Sequence, residues 1–229
     1  MQPVVRLRSV VCLLGRFPAL AGVDREVDAG EVVLLSGGNG AGKTTLLRVL
    51  AGLVPLHSGE AVVLGHDLAV DRRAHRRLLA LVGHDTGCYD DLTVRENLTF
   101  STRASGARRE AADEALHTIG LEPLADVPYG RLSAGQRRRL AIAVGLARAP
   151  QLLLLDEPHA GLDADGREAL DDVVRTTRSD GRTVILVSHE LDRVRALADR
   201  EVILESGRST GPQTEEASTA EVRLGVDAP

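Results

Sequence analysis

Apolar residues recur along the chain in two rhythms. Short runs rich in Val, Leu and Ala at residues 4–10, 22–27, 32–35, 60–64 and 78–82 read as β-strands, and such runs return at 152–155, 183–187 and 201–204. Segments with apolar positions three or four apart read as helices over 42–50, 93–103, 108–119, 134–148, 164–178 and 191–198. From about residue 93 to 149 only helical patterns occur. Strands alternating with helices imply an α/β fold, with a mostly parallel sheet covered on both faces. The expected layout is a single domain. Residues 1–84 and 150–205 form its core, with an antiparallel β portion at the N-terminus, and 85–149 form an inserted α-helical subdomain. The segment 206–229 is rich in Ser, Thr, Glu, Gly and Pro and is expected to be a frayed tail.

Composition narrows this picture. The 229 residues are 43% hydrophobic but only 2% aromatic, so Leu, Val and Ala must build the core. A net charge of -5 argues against broad nucleic-acid binding, which needs a basic face. Cys12 and Cys88 are isolated thiols, fitting a reducing compartment rather than a disulfide framework. No apolar run approaches the roughly 20 residues that span a bilayer. The expectation is no direct membrane insertion, with any membrane role exercised through a partner.

The chemistry is concentrated at the ends of predicted strands. Gly37-Gly38-Asn39-Gly40-Ala41-Gly42-Lys43-Thr44 follows the strand at 32–35 and opens a helix, and it contains the only lysine of the chain. This is the G-x-x-x-x-G-K-[ST] phosphate loop of P-loop NTPases. Its glycines let backbone N–H groups face phosphate oxygens, and the helix N-terminus adds a positive dipole end. Lys43 is expected to reach the β- and γ-phosphates of ATP and the Thr44 hydroxyl to ligate Mg²⁺, with Thr45 beside it. The apolar strand at 152–155 ends in Asp156-Glu157. Asp156 is the expected Mg²⁺ holder and Glu157 the general base that polarises the attacking water. The strand at 183–187 ends in Ser188-His189, and His189 is a candidate to bond the γ-phosphate and hold that water, on a strand expected beside the phosphate-loop strand.

Leu132-Ser133-Ala134-Gly135-Gln136 opens a further helix, with Ser133 as N-cap, and runs into Arg137-Arg138-Arg139. A basic first turn opposes the helix dipole unless an anion lies nearby. The phosphate loop, this segment, the Asp156-Glu157 pair, Ala160-Gly161-Leu162-Asp163 and His189 together resemble ABC-type ATPase domains in content and order, over residues 4–205. The resemblance implies a RecA-like P-loop NTPase fold. It also implies a head-to-tail homodimer with two ATP molecules between protomers. Ser133, Gly135 and Gln136 would then contact the γ-phosphate held by the other protomer, which would supply the anion for the basic turn. Asp163 would couple the two sites. The implied partners are integral membrane permease subunits, which places the chain peripherally at the cytoplasmic face of the inner membrane. The segment 87–98, with Tyr89, Asp90 and Asp91, is the expected docking region.

Two departures from the family pattern stand out. Leu81-Val82-Gly83-His84-Asp85 occupies the place of the usual Gln, leaving His84 or Asp85 as its substitute, with Asp85 a candidate Mg²⁺ ligand. The usual adenine-stacking aromatic is replaced by Leu14, and Phe17 is three residues on, suited equally to stacking or to the core. The Gly-His pair, the Ala in the Leu-Ser-Ala-Gly-Gln segment and the short chain resemble the ATP-binding subunit of the haem exporter of cytochrome c maturation. Glu157 argues against a regulator without turnover. The lack of a long coiled coil or of a second ATPase domain argues against ABC-type ATPases acting on DNA or ribosomes.

Overall fold

The computed structural model describes residues 3–83 and 86–210. The first layer is a four-stranded antiparallel sheet in the order β2-β1-β4-β5, built from β1 (Val5–Leu14), β2 (Phe17–Val27), β4 (Ser58–Val63) and β5 (His66–Asp67). The β1–β2 hairpin is longer than the alternation of the sequence suggests. Register shifts after Leu7, Val10 and Cys12 break the two-residue rhythm while the strands stay paired as far as Leu14 and Phe17.

The second layer is a six-stranded sheet in the order β10-β9-β3-β8-β7-β6. Strands β3 (Val32–Ser36), β6 (Leu79–Val82), β7 (Leu152–Asp156), β8 (Thr183–Val187) and β9 (Arg200–Glu205) run parallel, and β10 (Arg208–Thr210) turns back antiparallel. The central strands are apolar throughout because both faces are covered. Val32, Leu34, Leu153, Leu155, Val184 and Leu186 face a core shared with helices α3 (Val94–Ser105), α4 (Ala111–Thr118), α5 (Ala134–Leu146), α6 (Ala164–Ser179) and α7 (Leu191–Arg195). Val33, Leu35, Leu152, Leu154, Ile185 and Val187 face a second core with helix α1 (Lys43–Leu50), the short helix α2 (Leu68–Asp71) and the antiparallel sheet. The observed fold is therefore the expected mixed α/β one, with β8 directly beside β3.

The segment from Ser206 does not fray at its start. Gly207 lies in the β9–β10 turn, donates its N–H to Ala41 O at 3.1 Å and accepts from Ala21 N–H at 2.7 Å. Composition misled here because three residues of antiparallel pairing leave little pattern. Residues 211–229 lie outside the described residues, as do His84 and Asp85. Among the described residues no helix is long and apolar enough to cross a membrane.

Candidate functional site

The phosphate loop joins β3 to α1. Gly37 has φ 138°, and a Cβ there would lie 2.1 Å from Leu204 O. Gly42 caps α1 at φ 102°, with Ala19 O 2.5 Å from where a Cβ would sit. Both conformations exclude a side chain, so the loop packs against β2 and β9 through bare backbone. Helix α1 begins with no side-chain cap and no acidic residue in its first turn. Its first N–H groups are thus left to an external anion, with the dipole aligned to favour one. The largely buried Lys43 donates from Nζ to Gly37 O at 2.7 Å and Gly38 O at 3.0 Å.

A cleft of about 320 Å³ beside the loop is lined by Asn39 to Thr45 together with Leu14, Ala19, Asp156, Glu157, Val187 and His189. The parallel register delivers the acids: β7 ends at Asp156, and Glu157 N–H donates to Val187 O of β8 at 2.9 Å. Glu157 accepts from the His189 backbone N–H at 3.0 Å, and its other oxygen lies 3.3 Å from His189 Nε2. The expected base and the expected water-holding histidine therefore touch. Glu157 sits at φ 50°, a left-handed conformation uncommon for a residue with a Cβ. Thr44 and the carboxylates also border a second cleft of about 440 Å³, with Leu47, Arg48, Leu53, Gly83 and Arg148. The hydroxyl of Thr44 and the carboxylate of Asp156 are hard oxygen donors of the kind Mg²⁺ takes. Among the described residues no group of three or more His, Cys, Asp or Glu is arranged to hold a metal alone. Phe17 is 80% exposed, so it has no core role; it pairs across the hairpin with Leu14, which lines the loop cleft.

Ser133, Gly135, Gln136 and Asp163 form a separate group that lines neither cleft. Ser133 and Gln136 close a capping box at the start of α5: Gln136 N–H donates to Ser133 Oγ at 3.3 Å and Ser133 N–H to Gln136 Oε1 at 2.9 Å. A Cβ at Gly135 would lie 3.1 Å from Gly161 O, and Asp163 caps α6 through Gly166 N–H at 2.9 Å. A hydrogen bond from Arg139, then that of Gly166, holds the Asp163 carboxyl below its ordinary range.

The basic turn of α5 finds partners inside the chain, among them the carboxylate of Asp163. Arg137 donates to Leu132 O and Gly130 O and lies 5.1 Å over the Tyr129 ring. Arg138 is taken up by backbone carbonyls and Arg139 by Asp163. Carbonyl oxygens accept hydrogen bonds from a guanidinium without any anion, and sequence does not show where they point.

Sequence reading missed a largely buried polar network. His159 Nε2 lies 3.2 Å from Asp171 Oδ1 of α6, and Asp171 Oδ2 accepts from Arg193 of α7 at 2.8 Å and 2.7 Å. It ties the loop after Glu157 to the helix after His189. The available signal was Asp171 on the apolar stripe of α6, beside Leu170, Val173, Val174 and Thr177. Tyr89, in the expected docking region, stacks edge-to-face on Phe100 at 5.2 Å, and both are about half exposed.

A family model described as ABC transporter matches residues 20–160. The cytochrome c biogenesis ATP-binding export protein CcmA of Bordetella bronchiseptica is 41% identical over 179 residues, covering 77% of this chain and 80% of that protein. The sulfate/thiosulfate import ATP-binding protein CysA of Methylococcus capsulatus is 37% identical over 214 residues, covering 89% of this chain and 61% of that protein. The phospholipid-transporting ATPase ABCA3 of Rattus norvegicus is 39% identical over 182 residues, but the chain spans only 11% of its length. A solved dimeric ATP-binding cassette in a post-hydrolysis state, bound to ADP and Pi, superposes with a TM-score of 0.83 at 27% identity, covering 93% of this chain and 100% of that one. With the phosphate loop, the β7 carboxylates and the two-sheet architecture already in place, these likenesses make the chain an ATP-binding domain that belongs to the ABC transporter family.

Proposed function

We propose that this chain is the ATP-hydrolysing subunit of an ABC exporter, and that its cargo is haem destined for cytochrome c assembly. The observation that carries the finer reading is the likeness to the cytochrome c biogenesis export protein, which spans most of both chains. An importer subunit is the second reading, favoured by the longer stretch of this chain that matches the sulfate/thiosulfate import protein.

In this reading Lys43 and the open start of α1 hold the ATP phosphates. Thr44 and Asp156 would hold Mg²⁺, which supplies charge neutralisation at the phosphates when bound. Glu157 takes the proton of the attacking water, and His189, already in contact with it, orients that water toward the γ-phosphate. The second protomer brings Ser133, Gly135 and Gln136 against the same phosphate. Because the Gln136 oxygen is committed to its capping box, its amide nitrogen is the donor left for the anion. Two protomers close on two ATP molecules, hydrolysis releases them, and membrane subunits docked near residues 87–98 convert the motion into transport. The chain then works peripherally at the cytoplasmic face of the membrane.

The deciding experiment reconstitutes the chain in liposomes with the membrane subunits encoded beside it. ATP-driven haem translocation that stops with Glu157→Gln is the expected result. ATP-driven sulfate uptake without haem movement would replace it with the importer reading. Normal turnover in Glu157→Gln would remove Glu157 from its role as base.

A further inference from the structure

Arg138 makes a set of contacts that the roles above do not use. It stands in the second turn of α5, half-buried, and all its polar partners are backbone carbonyls. One terminal nitrogen donates to Asp156 O and to Glu157 O, both at 2.7 Å. Nε donates to Pro158 O at 3.3 Å, and the other terminal nitrogen donates to Gly83 O. Burial pushes its pKa down, and the charges of Asp156 and Glu157 partly oppose that.

Three consecutive carbonyls cannot converge on one cation from an extended strand, where successive carbonyls point to opposite sides. They converge here because Glu157 turns through the left-handed region at φ 50°. That conformation is unfavourable for a residue with a Cβ and persists only where its surroundings hold it. The guanidinium fork fits the turned backbone and simultaneously ties it to the end of β6 at Gly83. A lysine ammonium, a compact point charge, lacks that spread.

We infer that Arg138 is a positioning residue for hydrolysis, fixing the turn that aims the Glu157 carboxylate at the attacking water. It also makes that turn depend on α5, the helix whose first residues, Ser133 to Gln136, are proposed to meet the other protomer's nucleotide. Arrival of the partner's phosphate at one end of α5 is thereby passed to the base through a single side chain. The inference rests on the reading of Glu157 as the base.

The test compares Arg138→Ala, Arg138→Gln and Arg138→Lys with the unaltered full chain and with Glu157→Gln, under Mg²⁺ and ATP. Turnover and nucleotide affinity are measured separately, with circular dichroism to check folding. Arg138→Ala should lower kcat about 10- to 100-fold, the usual effect of a displaced catalytic group. Its nucleotide Kd should stay within about twofold, since Lys43 and α1 are untouched. Arg138→Lys should recover little, and millimolar guanidinium should restore part of the Arg138→Ala activity while leaving Glu157→Gln inactive. Unchanged kcat in Arg138→Ala, with Glu157→Gln inactive, overturns this inference alone. So does full recovery by lysine, which would mean that charge suffices. Wild-type turnover in Glu157→Gln overturns the base reading instead. If the alanine variant does not fold, the Gln and Lys variants carry the same comparison.

Discussion

Two helix starts in this molecule are built in opposite ways. Helix α1 opens on Gly42 with no capping side chain and no acid in its first turn, and Lys43 bends onto the carbonyls of its own loop. Helix α5 opens on a closed capping box, and its three arginines find partners within the chain. The first start leaves donors free and is built to bind an anion within one protomer. The second is partly satisfied within the chain, through its capping box and the partners of its arginines, so it gives stability to the single chain before any contact is added. The composite site proposed above would need both kinds: one half that captures nucleotide alone, and one that folds without it.

That contrast can be broken by measurement. The largest effect is expected from Lys43→Ala, which removes the only ammonium at the open start. Nucleotide affinity of the isolated chain should fall by about 3 kcal/mol, read by titration. Gly42→Ala comes next. Its φ of 102° and the Ala19 carbonyl 2.5 Å from the new Cβ should destabilise the fold by about 2 kcal/mol in denaturant unfolding. Ser133→Ala should cost about 1 kcal/mol of stability through loss of the cap, with nucleotide affinity of the isolated chain unchanged. A drop in that affinity as large as for Lys43→Ala would erase the distinction between the two starts. Gly38→Ala is the smallest. Its φ is not in the left-handed region and nothing lies within 4 Å of the added methyl, so stability should move by less than about 0.5 kcal/mol.

Much of the site was legible because strand ends in a parallel sheet all point the same way. Once 32–35, 152–155 and 183–187 are read as buried strands, Lys43, Asp156, Glu157 and His189 must meet at one edge, and they line one cleft. Phe17 was open between two roles, and only its exposure removes the core. The partners of Arg137, Arg138 and Arg139 were not legible, since backbone carbonyls carry no sequence signature. Nor was the link from Gly207 to Ala41, where a segment of tail-like composition props the phosphate loop.

The sequence by itself determined the order of the main strands and helices, the buried central strands, the phosphate loop and the ABC family, because these rest on local periodicity and on residue types that phosphate chemistry requires. The tertiary structure alone decided that carbonyl oxygens and Asp163 take up the arginines of α5. It also decided how the left-handed turn at Glu157 is held, and that His159, Asp171 and Arg193 join the loop after Glu157 to the helix after His189. These features depend on where carbonyls and buried charges point after the sheets and helices have packed, and packing brings together residues that no local pattern relates.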